Sequence, residues 1–130
     1  MQPYVSIILP VYNGETTLKS TVKSKLDQTY TDYELVVCID GTNDGSETIL
    51  RGFKDPRIKI IKNDKNLGSA GTLNRLMHNL DKASRYVAMA EQDDWYYPER
   101  IMLEIEVLDN NPHCGLVSGI AEHLNGNKDN

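Results

Sequence analysis

Glu91, Asp93 and Asp94 place three carboxylates within four residues, directly after the apolar run Val87-Ala88-Met89-Ala90. Adjacent like charges at a partly desolvated chain end are costly unless something positive sits among them. A hard cation with oxygen ligands, magnesium or manganese, supplies that charge and can bridge a diphosphate. The competing reading is a solvated acidic loop leading into a helix near Pro98, because carboxylates favour helix N-termini. Two more loops hold similar chemistry. Pro10, Val11, Tyr12, Asn13, Gly14 and Glu15 follow one apolar run, and the stretch Asp40 to Gly45 (DGTNDG) follows another. Asp40 offers an acceptor-only carboxylate, although Asp-Gly-Thr-Asn is also good turn chemistry. Tyr12 and Asn13 read either as ligand contacts or as a helix lead-in with Asn13 as the cap. Asp44 reads as the cap of the next helix. Trp95, Tyr96 and Tyr97 suit either a sugar-facing surface or packing of the following helix.

These loops need a scaffold that brings them together. Five β-rich runs are expected as strands: Tyr4 to Val11, Tyr33 to Ile39, Ile58 to Ile61, Arg85 to Ala90 and Gly115 to Ser118. The first two are nearly continuous in Val, Ile and Leu, the pattern of strands covered on both faces. Helical spacing marks Glu15 to Leu26 through Leu18, Val22 and Leu26, and Ser46 to Phe53 through Ile49, Leu50 and Phe53. It also marks Ser69 to Leu80 through Leu73, Leu76, Met77 and Leu80, and Pro98 to Leu108 through Ile101, Ile105 and Leu108. Pro98 suits the first helical position, where no N–H is needed. Strict alternation with short loops predicts an α/β, doubly wound, mostly parallel sheet with helices on both faces. Ligands bind such sheets outside the carboxyl ends of the strands, where strand order reverses. The ends at Val11, Ile39 and Ala90 should therefore open on one edge, with the first and fourth strands adjacent.

Bulk properties narrow the classes. A length of 130 residues fits one domain, taken as residues 1–124 with a polar tail over 125–130. With 39% hydrophobic and 25% charged residues the composition is that of an ordinary globular protein. A net charge of −5 argues against a nucleic-acid binder, which normally shows a basic stripe. Cys38 and Cys114 read as small buried hydrophobes in strands rather than as a disulfide or reactive thiol. Neither makes a metal-ligand spacing with His78, His113 or His123, and no histidine is given a role. No transmembrane segment and no secretory leader is visible, so a cytoplasmic location is expected. The first βα turn lacks G-x-G-x-x-G, and no Gly-Lys-Ser/Thr occurs, which disfavours a dinucleotide or P-loop site.

Several motifs occur in register. Val5 to Gly14 (VSIILPVYNG) is followed by Gln28 to Tyr30 (QTY), then by Tyr33 to Gly45 (YELVVCIDGTNDG). Asp55 to Ile58 (DPRI), Asn66 to Gly68 (NLG) and Asp93-Asp94 with Pro98 come next. Together they closely resemble the family 2 glycosyltransferases, from about Tyr4 to Ser118. The resemblance implies a GT-A fold, a nucleoside-diphosphate sugar donor and inversion at the anomeric carbon. It implies that Pro10, Val11 and Tyr12 pack around the donor base, with Glu15 near the nucleotide. Asp40 matches the carboxylate that accepts from a pyrimidine N3–H, and Asp93 the one near the ribose. Asp94 matches the ligand of the manganese or magnesium ion that bridges the diphosphate.

The departures are specific. Ile39 stands where the family commonly has a first aspartate, Leu73 where an arginine often stands, and Glu91-Gln92-Asp93-Asp94 replaces Asp-x-Asp-Asp. A Gln before Asp-Asp-Trp is similar to members resembling rhamnosyltransferases. The expected activity is transfer from a UDP-sugar, or a dTDP-rhamnose-like donor, to a saccharide or lipid-linked acceptor of the cell envelope. No general base is nominated, because in the resembling enzymes it lies beyond the end of this sequence. The chain is accordingly expected to be the N-terminal part of a longer protein working at the inner face of the membrane. A non-catalytic nucleotide-binding module and, more remotely, a dinucleotide oxidoreductase are the alternatives.

Overall fold

The computed structural model of the protein describes residues 4–122. Strands and helices alternate as β1 (Val5–Val11), α1 (Leu18–Leu26), β2 (Tyr33–Asp40), α2 (Ser46–Gly52), β3 (Ile58–Asn63), α3 (Gly68–His78), β4 (Tyr86–Met89) and α4 (Arg100–Asn110). The sheet order is β3-β2-β1-β4, and every pair is parallel. The chain steps outward from β1 through β2 to β3, then crosses back to lay β4 on the other side of β1. Val11 stands opposite Ile39, and Ile8 opposite Met89, so the expected strand ends share one edge. The strand order reverses at β1, between β2 and β4.

The two central strands explain the core. Val5, Ile7, Leu9 and Val11 of β1 join Leu35, Val37 and Ile39 of β2 on one face, under Leu18, Val22, Leu50, Ile101 and Ile105. Ile8, Val36 and Cys38 form the other face with Leu76 of α3. Helices therefore cover both faces, with α1, α2 and α4 on one side and α3 on the other. Full burial of a Leu or Val side chain contributes roughly 1.5–3 kcal/mol, so this paired coverage is the main stabilising term. On α3 the fully buried apolar residue is Leu76, and truncating it to alanine removes the packing that seats this helix.

Several expectations are corrected. Gly115 to Ser118 is not a strand; the segment is irregular and mostly exposed. Strand structure needs a ladder partner. Here β4 bonds only to β1, and residues 115–118 face it across an apolar cavity of about 710 Å³ shared with α4. The sheet therefore has four strands among the described residues. Helix α1 begins at Leu18 rather than Glu15, and α4 at Arg100 rather than Pro98, whose carbonyl instead accepts the Thr29 N–H at 2.9 Å. Met77, expected on the apolar face of α3, is 51% exposed. Cys38 is a buried strand residue as expected, whereas Cys114 is half-buried outside any strand; both are free thiols. Among the described residues, no helix is long and apolar enough to cross a membrane. The tail over 125–130 lies outside them.

Candidate functional site

A cleft of about 310 Å³ opens at the carboxyl ends of β1, β2 and β4. The end of β1 contributes Pro10, Val11 and Tyr12, β2 contributes Asp40, and α3 contributes Ser69 and Thr72. The loop after β4 adds Glu91, Gln92 and Asp93. Five of the seven expected site residues are thus brought together: Pro10, Val11, Tyr12, Asp40 and Asp93. Asp94 follows Asp93 on the same loop. Glu15 is placed apart, its carboxylate accepting the Gly45 N–H at 2.6 Å ahead of α2.

Two loops form the floor by pairing through a side chain. The Gln92 amide donates to the Tyr12 carbonyl at 3.0 Å and accepts the Tyr12 N–H at 2.9 Å, imitating a strand partner. Gly14 leaves room for it, since a Cβ there would stand 2.8 Å from Gln92 Oε1. Asn13 is not a helix cap. Its φ is +48°, and its side chain accepts the Asn43 N–H at 3.1 Å, tying the loop after β1 to the loop after β2. Asp44 is not the N-cap of α2, which is Gly45; it stands one residue earlier and accepts from the Ser46 N–H at 2.9 Å and from the Glu15 N–H at 3.1 Å.

Asp40 is 4% exposed, and the protein itself surrounds it with donors. Oδ1 accepts from Asn63 Nδ2 at 2.8 Å and from the Leu67 N–H at 2.7 Å, while Oδ2 accepts from the Gly68 N–H at 3.1 Å. Burial works against the charged form, but hydrogen bonds from Asn63, Leu67, Thr72 and Gly68 outweigh it and hold the carboxyl below its ordinary range. Gly41 permits the turn that makes this possible. Its φ is +64°, and a Cβ would fall 2.4 Å from the Asn66 amide nitrogen.

The acidic loop is arranged differently. Glu91, Asp93 and Asp94 are exposed, whereas Tyr96 between them and α4 is 1% exposed. Trp95 and Tyr97 stand out from the loop as an edge-to-face pair with ring centroids 4.9 Å apart. The loop's main chain rests on one side of α1. Thr17 and Thr21 donate to the Gln92 carbonyl at 2.9 and 2.8 Å, Ser24 accepts the Tyr96 N–H at 3.1 Å, and Gln28 donates to the Tyr97 carbonyl at 2.9 Å. Lys25 Nζ donates to the Asp94 carbonyl.

Among the described residues, no three His, Cys, Asp or Glu side chains converge as a metal cage. The donor chemistry fits a hard cation all the same. Magnesium-type ions keep waters and bind through one or two carboxylates plus substrate phosphates rather than in all-protein cages. Asp94, exposed and next in the chain to the cleft-lining Asp93, would be a ligand of that kind.

The sequence reading missed Ser69, Thr72, Asn63 and the structural use of Gln92. It also missed the buried polar side of α1, although Thr17, Thr21, Ser24 and Gln28 recur at helical spacing and carried the signal.

Comparison with known proteins bears on this arrangement. The model of glycosyl transferase family 2 matches residues 6–130. The UDP-Glc:alpha-D-GlcNAc-diphosphoundecaprenol beta-1,3-glucosyltransferase WfgD of Escherichia coli is 32% identical over 123 residues, covering 95% of this chain and 47% of that protein. The chain thus spans about half the length of this curated relative. S. aureus TarS in complex with UDP superposes with a TM-score of 0.76 at 20% identity, over 83% of this chain and 32% of that one. The mannosyltransferase PcManGT of Pyrobaculum calidifontis, solved with GDP-Man and Mn2+, does so with a TM-score of 0.74 at 20% identity, over 83% and 33%. At that identity the two structures speak for the fold, which is the GT-A arrangement.

Proposed function

The chain belongs to glycosyl transferase family 2, and on that premise we propose that its cleft holds the nucleoside diphosphate of a sugar donor, a UDP-sugar first. The observation that carries the reading is the meeting of Pro10, Val11, Tyr12, Asp40 and Asp93 in one cleft at the switch point of the sheet. The base lies against Pro10, Val11 and Tyr12, whose side chain is 48% exposed and available as a face. Asp40 reads a pyrimidine N3–H through Oδ2, the less committed of its two oxygens. Asp93 lies near the ribose.

Asp94 would hold a manganese or magnesium ion, which would supply positive charge to the diphosphate leaving group. The acceptor hydroxyl attacks the anomeric carbon from the opposite face as the bond to the diphosphate breaks, with inversion, and its proton passes to a general base that is not assigned to any of the described residues. Trp95 and Tyr97, exposed beside the cleft, suit the acceptor side. Uracil is favoured because the relative WfgD is named for UDP-Glc. Its name also carries a diphosphoundecaprenol acceptor, and a lipid-linked acceptor of the cell envelope, met at the inner face of the membrane, belongs to the proposal.

Isothermal titration tests the donor side. UDP should bind at least tenfold more tightly with manganese than with EDTA, and more tightly than GDP. dTDP tests the rhamnose-like donor. Equal heats with NAD, or no effect of manganese, would overturn the reading.

A further inference from the structure

Lys25 lies in α1 with no exposed surface, an uncommon place for an ammonium group. A buried cation is tolerated only where hydrogen bonds and electrostatic partners replace its hydration. Its partners include a main-chain carbonyl and an aromatic ring. Nζ donates to the main-chain carbonyl of Asp94, and it stands 3.9 Å from the centroid of the Tyr96 ring. The ring is itself fixed, with its hydroxyl on the Met89 carbonyl at 2.5 Å and Arg100 at 3.8 Å from the centroid. Tyr33 holds the helix backbone at this point by donating to the Lys25 carbonyl at 2.7 Å.

These contacts bear directly on the acidic loop. Of the α1 side chains that bond its main chain, Lys25 alone carries a charge, and it bonds the residue proposed as metal ligand. With its main-chain carbonyl bonded to the ammonium, Asp94 stays exposed directly after the cleft-lining Asp93. A loop already held in its binding geometry loses less freedom when the ligand binds.

We infer that Lys25 is a positioning residue: from inside the core it presets the Asp93–Asp94 loop for the cation-bound diphosphate. The inference rests on the reading of the cleft given above. It assigns Lys25 no contact with substrate or metal.

The test compares UDP titrations with manganese and with EDTA, together with thermal melts, for wild type, Lys25→Met and Lys25→Arg. Met keeps an unbranched side chain, one atom shorter, without charge or donor; Arg keeps both. Lys25→Met should weaken manganese-dependent UDP binding tenfold or more and leave the EDTA affinity within about twofold. Lys25→Arg should recover most of the loss. Where Lys25→Met does not fold, Lys25→Gln keeps a neutral donor and should lose the same manganese-dependent part. Unchanged manganese dependence in the Met or Gln variant, or a parallel fall of both affinities, overturns the positioning role and leaves the cleft assignment standing. Manganese-independent binding by the wild type overturns the cleft assignment, and the inference with it.

Discussion

Asp40 at the end of β2 and Asp94 beyond the end of β4 stand at the same edge of one sheet, in opposite surroundings. Asp40 is 4% exposed and holds Asn63, Leu67 and Gly68, so its charge is already used by the fold. Asp94 is exposed, and it is its main-chain carbonyl that is tied down, by Lys25. The carboxylate is thereby left for something outside the chain. The same residue type serves as an internal clamp in one loop and stays exposed in the other. Backbone anchoring decides which. In the loop after β2 the side chain does the anchoring, whereas in the loop after β4 the side chains of α1 do it instead.

The contrast breaks most visibly at Asp40. Asp40→Ala takes the acceptor from the Leu67 N–H and one acceptor each from the Asn63 amide, which keeps Thr72 Oγ1, and from the Gly68 N–H, which keeps Asn66 Oδ1. One orphaned donor and two lost hydrogen bonds together are expected to cost about 1–3 kcal/mol in urea unfolding. A change under 1 kcal/mol, on the order of an ordinary hydrogen bond, would remove Asp40 from the structural side of the comparison. An affinity measurement on this variant alone therefore does not report base recognition.

Gly41→Ala attacks the same clamp through the backbone. A positive φ costs about 1–3 kcal/mol for a residue with a side chain, and the added Cβ would press on Asn66. Thermal melts should show the loss, and a crystal structure should show the Leu67 N–H moved away from Asp40. A variant as stable as wild type would mean that the loop shifts freely.

Asp94→Ala should show the reverse profile. Its stability should stay within about 0.5 kcal/mol, as for other exposed positions. Manganese-dependent UDP binding should weaken at least tenfold, about 1.4 kcal/mol. A large stability loss with unchanged titration would erase the distinction between the two loops.

Acid titration gives the smallest and most graded effect. The Asp40 carboxyl is held below its ordinary value in the folded protein, so the unfolded chain binds its proton first as pH falls. Its contribution is therefore present above the unfolded value, near pH ~3.9, and is lost as pH drops through the folded value. Stability followed between about pH 5 and pH 2 should fall less steeply in Asp40→Asn than in wild type. Asp44 and Asp55, also held below their usual range by hydrogen bonds, keep part of the slope in both proteins. Identical slopes would show that Asp40 is not differentially protonated.

Much of the fold was legible because periodic burial is written locally. The runs VSIILPV and YELVVCID announce strands covered on both faces, and the spacing of Leu18 with Val22 and of Ile101 with Ile105 announces helices lying on them. Alternation then implied parallel crossovers, with β1 beside β4. The strand Gly115 to Ser118 was misread because a short apolar run does not state whether a neighbouring ladder exists. The clamp on Asp40 was illegible for a related reason. Its donors lie 23 to 28 residues away, on β3 and at the start of α3, and only the crossover brings them to the end of β2. Gln92 and Lys25 are the extreme cases, meeting Tyr12 and Asp94 across 80 and 69 residues. Sequence by itself determined the element order, the sheet edge on which ligand chemistry collects, and the carboxylates present there. Only the tertiary structure decided which carboxylate is consumed inside and which faces out, because a polar group's role depends on the distant donors that packing sets against it.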